Sequence, residues 1–262
     1  MIGIFDSGVG GMTVARAIEH ICPGFPLVYF GDIARTPYGS KSPETIVEYS
    51  RSNTDFLLSH GADIIVIACN SAASTAANIL RSSYPIPVID VITPATRRAA
   101  ATTVNSRIGV IGTRATVRSG VYEQRLQEIR PGCTVISQPC PLLVPLVEEG
   151  WLNKRETKMI LRRYLHPLRL KQIDTLVLGC THYPLLGHLI GPRIGRRVKL
   201  IDSSVEVALY LKKFLDNTPE LKRKLQHRSS KSRFFVSDST EPVRRLADRI
   251  FGRTITLEKV HV

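Results

Sequence analysis

The feature that most constrains this chain is that it repeats itself. Asp63-Ile-Ile-Val-Ile-Ala-Cys69-Asn-Ser matches Asp174-Thr-Leu-Val-Leu-Gly-Cys180-Thr-His, aspartate to cysteine at one spacing. Each block is followed by another apolar segment ending in Ile-Asp: Asp90 lies 21 residues after Cys69, and Asp202 lies 22 after Cys180. The halves also begin alike, Ile2-Gly-Ile-Phe against Ile108-Gly-Val-Ile, and Pro23-Gly in one half has its counterpart in Pro131-Gly. The offsets run 106, 108, 111 and 112, drifting as small insertions would make them. One such match can arise by chance, but four in order imply a duplication. The chain is then expected to form two similar units, each placing one cysteine at the same structural position.

The type of unit follows from the apolar pattern. Short runs rich in Val and Ile predict strands at Ile2–Phe5, Leu27–Phe30, Ile64–Ala68, Pro87–Val91, Ile108–Ile111, Thr134–Ser137, Thr175–Leu178, Val198–Ile201 and Phe234–Val236. Most are continuously apolar rather than alternating, as strands buried on both faces of a parallel sheet must be. Helix-length amphipathic segments separate them, among them Gly10–Ile21, Pro43–Ser59, Ser71–Ser82, Pro94–Thr103 and Arg155–Arg169. Strand then helix, repeated, predicts an α/β fold of two pseudo-symmetric lobes with mainly parallel sheets flanked by helices. The second half-repeat begins near Ile108 and ends at Asp202, so the lobes are expected at 1–92 plus 206–262 and at 93–205.

Composition narrows the class. The 262 residues are 43% hydrophobic and 22% charged, which excludes a disordered, collagen-like or coiled-coil chain. No apolar run reaches the roughly 18 residues of a membrane-spanning helix. The N-terminal MIGIFDSG lacks the basic stretch and apolar core of a signal peptide, so a cytoplasmic location is expected. Five irregularly spaced cysteines (22, 69, 133, 140 and 180) do not make a disulfide framework, and free thiols are expected.

In open α/β sheets, ligands bind beyond the carboxyl ends of the strands. Cys69 and Cys180 fall there, each followed by residues that cap helices: Asn70-Ser71 and Thr181-His182. A helix N-terminus after each would offer N–H groups and a positive dipole end, lowering the thiol pKa. His182, two residues from Cys180, would add a cation. Cys22, Cys133 and Cys140 lack this context and read as buried small hydrophobes. Asp6-Ser7-Gly8-Val9-Gly10-Gly11 follows the first strand, and Asp32 ends the second, a combination that suggests dinucleotide binding. The fingerprint fails at its last glycine, which is Thr13, and leaves Asp6 and Ser7 unexplained.

Taken together, Phe5-Asp6-Ser7-Gly8-Val9-Gly10-Gly11, Gly31-Asp32 with Pro37-Tyr38-Gly39, Ala68-Cys69-Asn70-Ser71-Ala72 and Leu178-Gly179-Cys180-Thr181-His182-Tyr183-Pro184-Leu185-Leu186 resemble the glutamate racemases. These belong to the cofactor-independent aspartate/glutamate racemase superfamily, and the match runs in order over about residues 1–210. The resemblance implies an active site in the cleft between two lobes, no cofactor, and glutamate as substrate. It implies that Cys69 and Cys180 are the two bases, one removing the α-proton and the other delivering a proton to the opposite face. It further implies that Asp6 assists Cys69 and His182 assists Cys180. Ser7, Pro37, Tyr38, Gly39, Asn70, Ser71 and Thr181 would hold the substrate's charged groups, and Asp32 and Glu148 match acidic positions with supporting roles. Thr113 and Thr116 resemble positions lining the same cleft, where a helix-capping role would serve equally. The family usually carries Thr where this chain has Ser71, a change that keeps the hydroxyl and loosens the pocket by a methyl. A homodimer is the expected assembly, and an aspartate racemase of the same superfamily is the nearest alternative.

Other chemistries fit less well. Cys-x-His matches none of the common structural zinc spacings and no Cys-x-x-Cys exists, so no metal site is expected. Papain-like catalysis would leave the second cysteine unexplained. The formal charge of +14 raises the question of an anionic partner. The basic residues concentrate from Lys212 to Arg253, where a solvated helix face and a loop near Gln226–Ser232 are expected. With few aromatics there, that region has no stacking platform for single-stranded nucleic acid.

Overall fold

The continuously apolar runs pair as parallel strands in two separate sheets. A computed structural model of the chain describes residues 1–227 and 231–261. Its strands are β1 (Ile2–Asp6), β2 (Leu27–Gly31), β3 (Ile64–Ile67), β4 (Val88–Asp90), β5 (Arg107–Gly112), β6 (Thr134–Pro139), β7 (Thr175–Gly179), β8 (Lys199–Asp202), β9 (Arg233–Val236) and β10 (Leu257–Lys259). One sheet runs β10-β9-β2-β1-β3-β4 and the other β6-β5-β7-β8, and every pairing is parallel. The order β2-β1-β3-β4 in the first sheet is reproduced by β6-β5-β7-β8 in the second. That is the topology a duplicated half-chain must give. β1, β2, β3 and β7 are buried at every residue, as strands covered by helices on both faces must be.

The helices are α1 (Met12–Ile21), α2 (Pro43–Ser59), α3 (Asn70–Ser83), α4 (Ile92–Thr102), α5 (Arg114–Arg118), α6 (Val121–Ile129), α7 (Leu143–Glu148), α8 (Arg155–Leu170), α9 (Gly187–Ile194), α10 (Ser203–Asp216), α11 (Pro219–Gln226) and α12 (Glu241–Phe251). Local chemistry explains several of their ends. Pro43 opens α2, and the Ser42 hydroxyl accepts from the Thr45 N–H. Asp202 caps α10 through the Ser204 N–H at 2.8 Å. Gly252, at φ +67°, closes α12 in the left-handed conformation glycine favours.

Two sequence expectations change. No α-helix starts directly after Cys180: a 3-10 turn, Tyr183–Leu186, intervenes before α9. Pro184 has no N–H to donate, and its ring restricts the residue before it. The sequence also gave no sign of β10, a three-residue, half-exposed edge strand reading Leu-Glu-Lys. In the basic C-terminal region Lys222 pairs with Asp216, Arg233 with Glu258 and Lys259 with Asp238. The loop expected near Gln226–Ser232 falls partly on residues 228–230, outside those the structure describes. Among the described residues, no helix is long and apolar enough to cross a membrane.

Candidate active site

The duplicated cysteines meet. Cys69 and Cys180 line one cavity, together with Ser7, Thr36, Pro37, Tyr38, Gly39, Asn70, Ser71, Thr113, Val144, Thr181 and His182. Cys69 follows β3 and occupies the N-cap position of α3, while Cys180 directly follows β7, the equivalent strand of the second sheet. Both thiols are free and nearly buried, at 5% and 6% exposure.

Each thiol has its own surroundings. The Cys69 Sγ lies 3.4 Å from the Ser7 hydroxyl. Burial, and then the Asp6 carboxylate, push the Cys69 thiol up to about 12. The expectation that a helix end acidifies this thiol therefore fails: desolvation opposes the anion more strongly than the α3 N-terminus favours it. Around Cys180 the charges are different. His182 Nδ1 lies 3.9 Å from the Cys180 Sγ, and its Nε2 lies 3.1 Å from Glu148 Oε1. Burial alone would lower the imidazole pKa. Hydrogen bonding to the Cys180 sulfur and Glu148, with the charges of both, lifts it instead to about 10.

Asp6 sits beneath the cavity wall, fully buried. It accepts from the Gly8 N–H at 3.0 Å and from the Thr181 hydroxyl at 3.4 Å. Burial raises its carboxyl to about 6, against the lowering effects of His182 and of N–H donors from Gly11 and Gly8. The glycines of the first loop make room for these groups. A Cβ at Gly11 would stand 2.2 Å from that of Asp6, and one at Gly10 would stand 2.4 Å from the His182 ring. Close packing around the acid and the imidazole accounts for this glycine run without a dinucleotide.

Three hydroxyls cluster where the starts of α3 and α5 approach each other. Ser71 Oγ lies 2.8 Å from Thr113 Oγ1 and 3.4 Å from Thr116 Oγ1. Thr113 caps α5 through the Thr116 N–H and also lines the cavity, so both readings of this residue hold. Asn70 Oδ1 accepts from the Tyr122 hydroxyl at 2.7 Å, while its Nδ2 is buried without a hydrogen-bond partner. Asp32 does not reach the cavity: it accepts from the Tyr38 hydroxyl and from Arg35 Nε at 2.7 Å, bracing Tyr38 from behind. Glu148 also acts from behind, through His182. Sequence reasoning missed Thr36, Val144 and Tyr122. Thr36 adjoins the Pro37-Tyr38-Gly39 motif, whereas Val144 and Tyr122 lie in ordinary helical stretches with no local signal.

Two thiols converging on one cavity, with an imidazole and a carboxylate beside them, form a site equipped for proton transfer at a single atom. Among the described residues, no group of three or more potential metal ligands occurs. Residues 10–209 match the Asp/Glu/hydantoin racemases, and the chain belongs to that family. Within the family it is 46% identical to a glutamate racemase of Persephonella marina over 100% of this chain and 97% of that one. Its fold superposes on a glutamate racemase isoform of Bacillus anthracis with a TM-score of 0.94 at 36% identity, covering 100% and 97% of the two chains. The glutamate racemase of Francisella tularensis, solved with D-glutamate, gives 0.89 at 35% identity, covering 99% and 96%.

Proposed function

We propose that this chain interconverts L- and D-glutamate by two-base proton transfer at the α-carbon, supplying D-glutamate for peptidoglycan in the cytoplasm. The observation that carries this reading is the placement of Cys69 and Cys180, at equivalent strand ends of duplicated units, on one cavity. Inversion needs a base on each face of the carbon, because a single base returning its proton to the same face changes nothing. The proposed lobes, 1–92 plus 206–262 and 93–205, put one thiol on each side. Supporting that division, β1–β4, β9 and β10 form one sheet and β5–β8 the other.

The proposed roles follow the local electrostatics. Cys180, beside the His182 imidazole that Glu148 backs, is placed to remove the α-proton. Cys69, kept as a thiol by burial and Asp6, is set to donate to the opposite face. In the reverse direction Cys69 must lose its proton, which the substrate ammonium and the Ser7 hydroxyl would favour. Ser7, Pro37, Tyr38, Gly39, Asn70, Ser71 and Thr181 hold the carboxylates and ammonium, Thr113 lines the same cavity while Thr116 lies behind it, and the protein works as a homodimer. Support for glutamate comes from relatives of that name covering nearly the whole chain. The test is to incubate purified, chelator-treated protein with L-glutamate or L-aspartate and follow optical rotation. Decay of the glutamate signal alone is expected; decay of aspartate alone would move the chain to the alternative substrate.

A further inference from the structure

We infer that Tyr122 is a positioning residue that fixes the orientation of the Asn70 amide and so presents its Nδ2–H group to the substrate. This rests on the proposed substrate site. An amide side chain can turn either its oxygen or its nitrogen toward a neighbour, and only the nitrogen can donate to a carboxylate. Tyr122 is 2% exposed, and a buried phenol needs an acceptor for its proton. Among the described residues its one acceptor is Asn70 Oδ1, at 2.7 Å. The oxygen must therefore face Tyr122, leaving Nδ2 as the buried, unpartnered donor of a residue that lines the cavity.

Tyr122 lies at the start of α6 and is itself held against the other half of the site. A Cβ at Gly179, the residue before Cys180, would stand 3.3 Å from Tyr122 Cε2. One ring thus packs under the strand end that carries Cys180 while its hydroxyl fixes the residue next to Cys69. Without the hydroxyl, the amide is free to turn its oxygen toward the substrate carboxylate, weakening ground-state and transition-state binding alike.

The test is a double-mutant cycle of Tyr122→Phe and Asn70→Ala, with KM and kcat for glutamate and melting temperatures as a check on folding. Loss of uniform binding raises KM at nearly constant kcat, so Tyr122→Phe should raise KM roughly fivefold. In the Asn70→Ala background it should add nothing, since its target is gone. An equal effect in both backgrounds, or an unchanged KM in the single variant, would overturn the inference. Wild-type turnover, read first, tests the proposed reaction separately. A side-chain amide nitrogen–proton spectrum reads the orientation without turnover, with Asn70 assigned by its loss in Asn70→Ala. Its signals should shift or double in Tyr122→Phe, and signals left unmoved would refute the role.

Discussion

Gly10→Ala adds one methyl group, and the structure says where it goes. The new Cβ would lie 2.4 Å from Cε1 and Nδ1 of His182 and 2.6 Å from Oγ1 of Thr181. Relief to ordinary contact requires the ring to retreat by about 1 Å, a displacement that can reduce turnover on the order of 100-fold. The ring has little room: it is 4% exposed and spans Cys180 and Glu148. The loop cannot simply lift away either, because the Thr13 hydroxyl donates to both Gly10 O, at 2.9 Å, and Thr181 O, at 3.0 Å. Overpacking of this kind destabilises by about 1–3 kcal/mol, or roughly 2–10 °C in Tm for a chain of this size. The expected result is therefore a kcat about 100-fold down in both directions with a modest fall in Tm. Gly187→Ala is the control, since Gly187 has helical dihedrals and open space around its missing Cβ. That variant should keep full activity and gain up to about 1 kcal/mol. Initial rates by circular dichroism and thermal melts measure both. A Gly10→Ala enzyme retaining more than half its turnover would refute the claim that His182 placement limits catalysis.

Cys69→Ala and Cys180→Ala should each abolish racemisation while glutamate binding persists in calorimetry, whereas Cys22→Ala and Cys133→Ala should keep turnover. Glu148→Gln removes the anion that helps lift the His182 imidazole to about 10 against the pull of burial. Since imidazolium is lost as pH rises through its pKa, the alkaline limb of kcat/KM should move toward neutrality by about one unit or more. An unmoved limb would mean that His182 does not titrate there. Asp6 has the opposite consequence for stability. Burial holds its folded-state pKa at about 6, above the 3.8 of the free group, so its ionised form destabilises the fold above pH 6. That penalty fades as pH falls toward 4. Asp6→Asn should therefore raise stability at pH 8 by on the order of 1 kcal/mol, far less at pH 4, while abolishing activity. A lower Tm at pH 8 would contradict the assignment.

What was legible in the sequence was whatever depends on pattern. Continuous apolar runs gave the parallel strands, and the Asp63–Cys69 and Asp174–Cys180 repeat anticipated two sheets of the same strand order around a thiol pair. What depends on depth was not legible. Nothing in Ala68-Cys69-Asn70 says that this sulfur is buried beside a carboxylate, which reverses the direction in which its pKa moves. Asp32 reads as a ligand-binding acid at a strand end, yet Arg35 and Tyr38 turn it away from the cavity. Tyr122 sits in an amphipathic helix, and its importance emerges only when α6 is laid against Asn70 and Gly179. Leu257–Lys259 is too short and too polar to announce a strand, and forms one because β9 offers it a free edge.

The central claim is that two separate thiols act on opposite faces of one carbon, and deuterium labelling tests it most directly. In D₂O, product glutamate at low conversion should carry deuterium at Cα, because the donating thiol has already exchanged with solvent. The recovered substrate should remain protonated, because the abstracted proton stays on the other sulfur. Proton NMR of the Cα signal in each separated enantiomer measures both. Substantial unexchanged proton in the product would mean one mobile base, and the two-thiol account would fail.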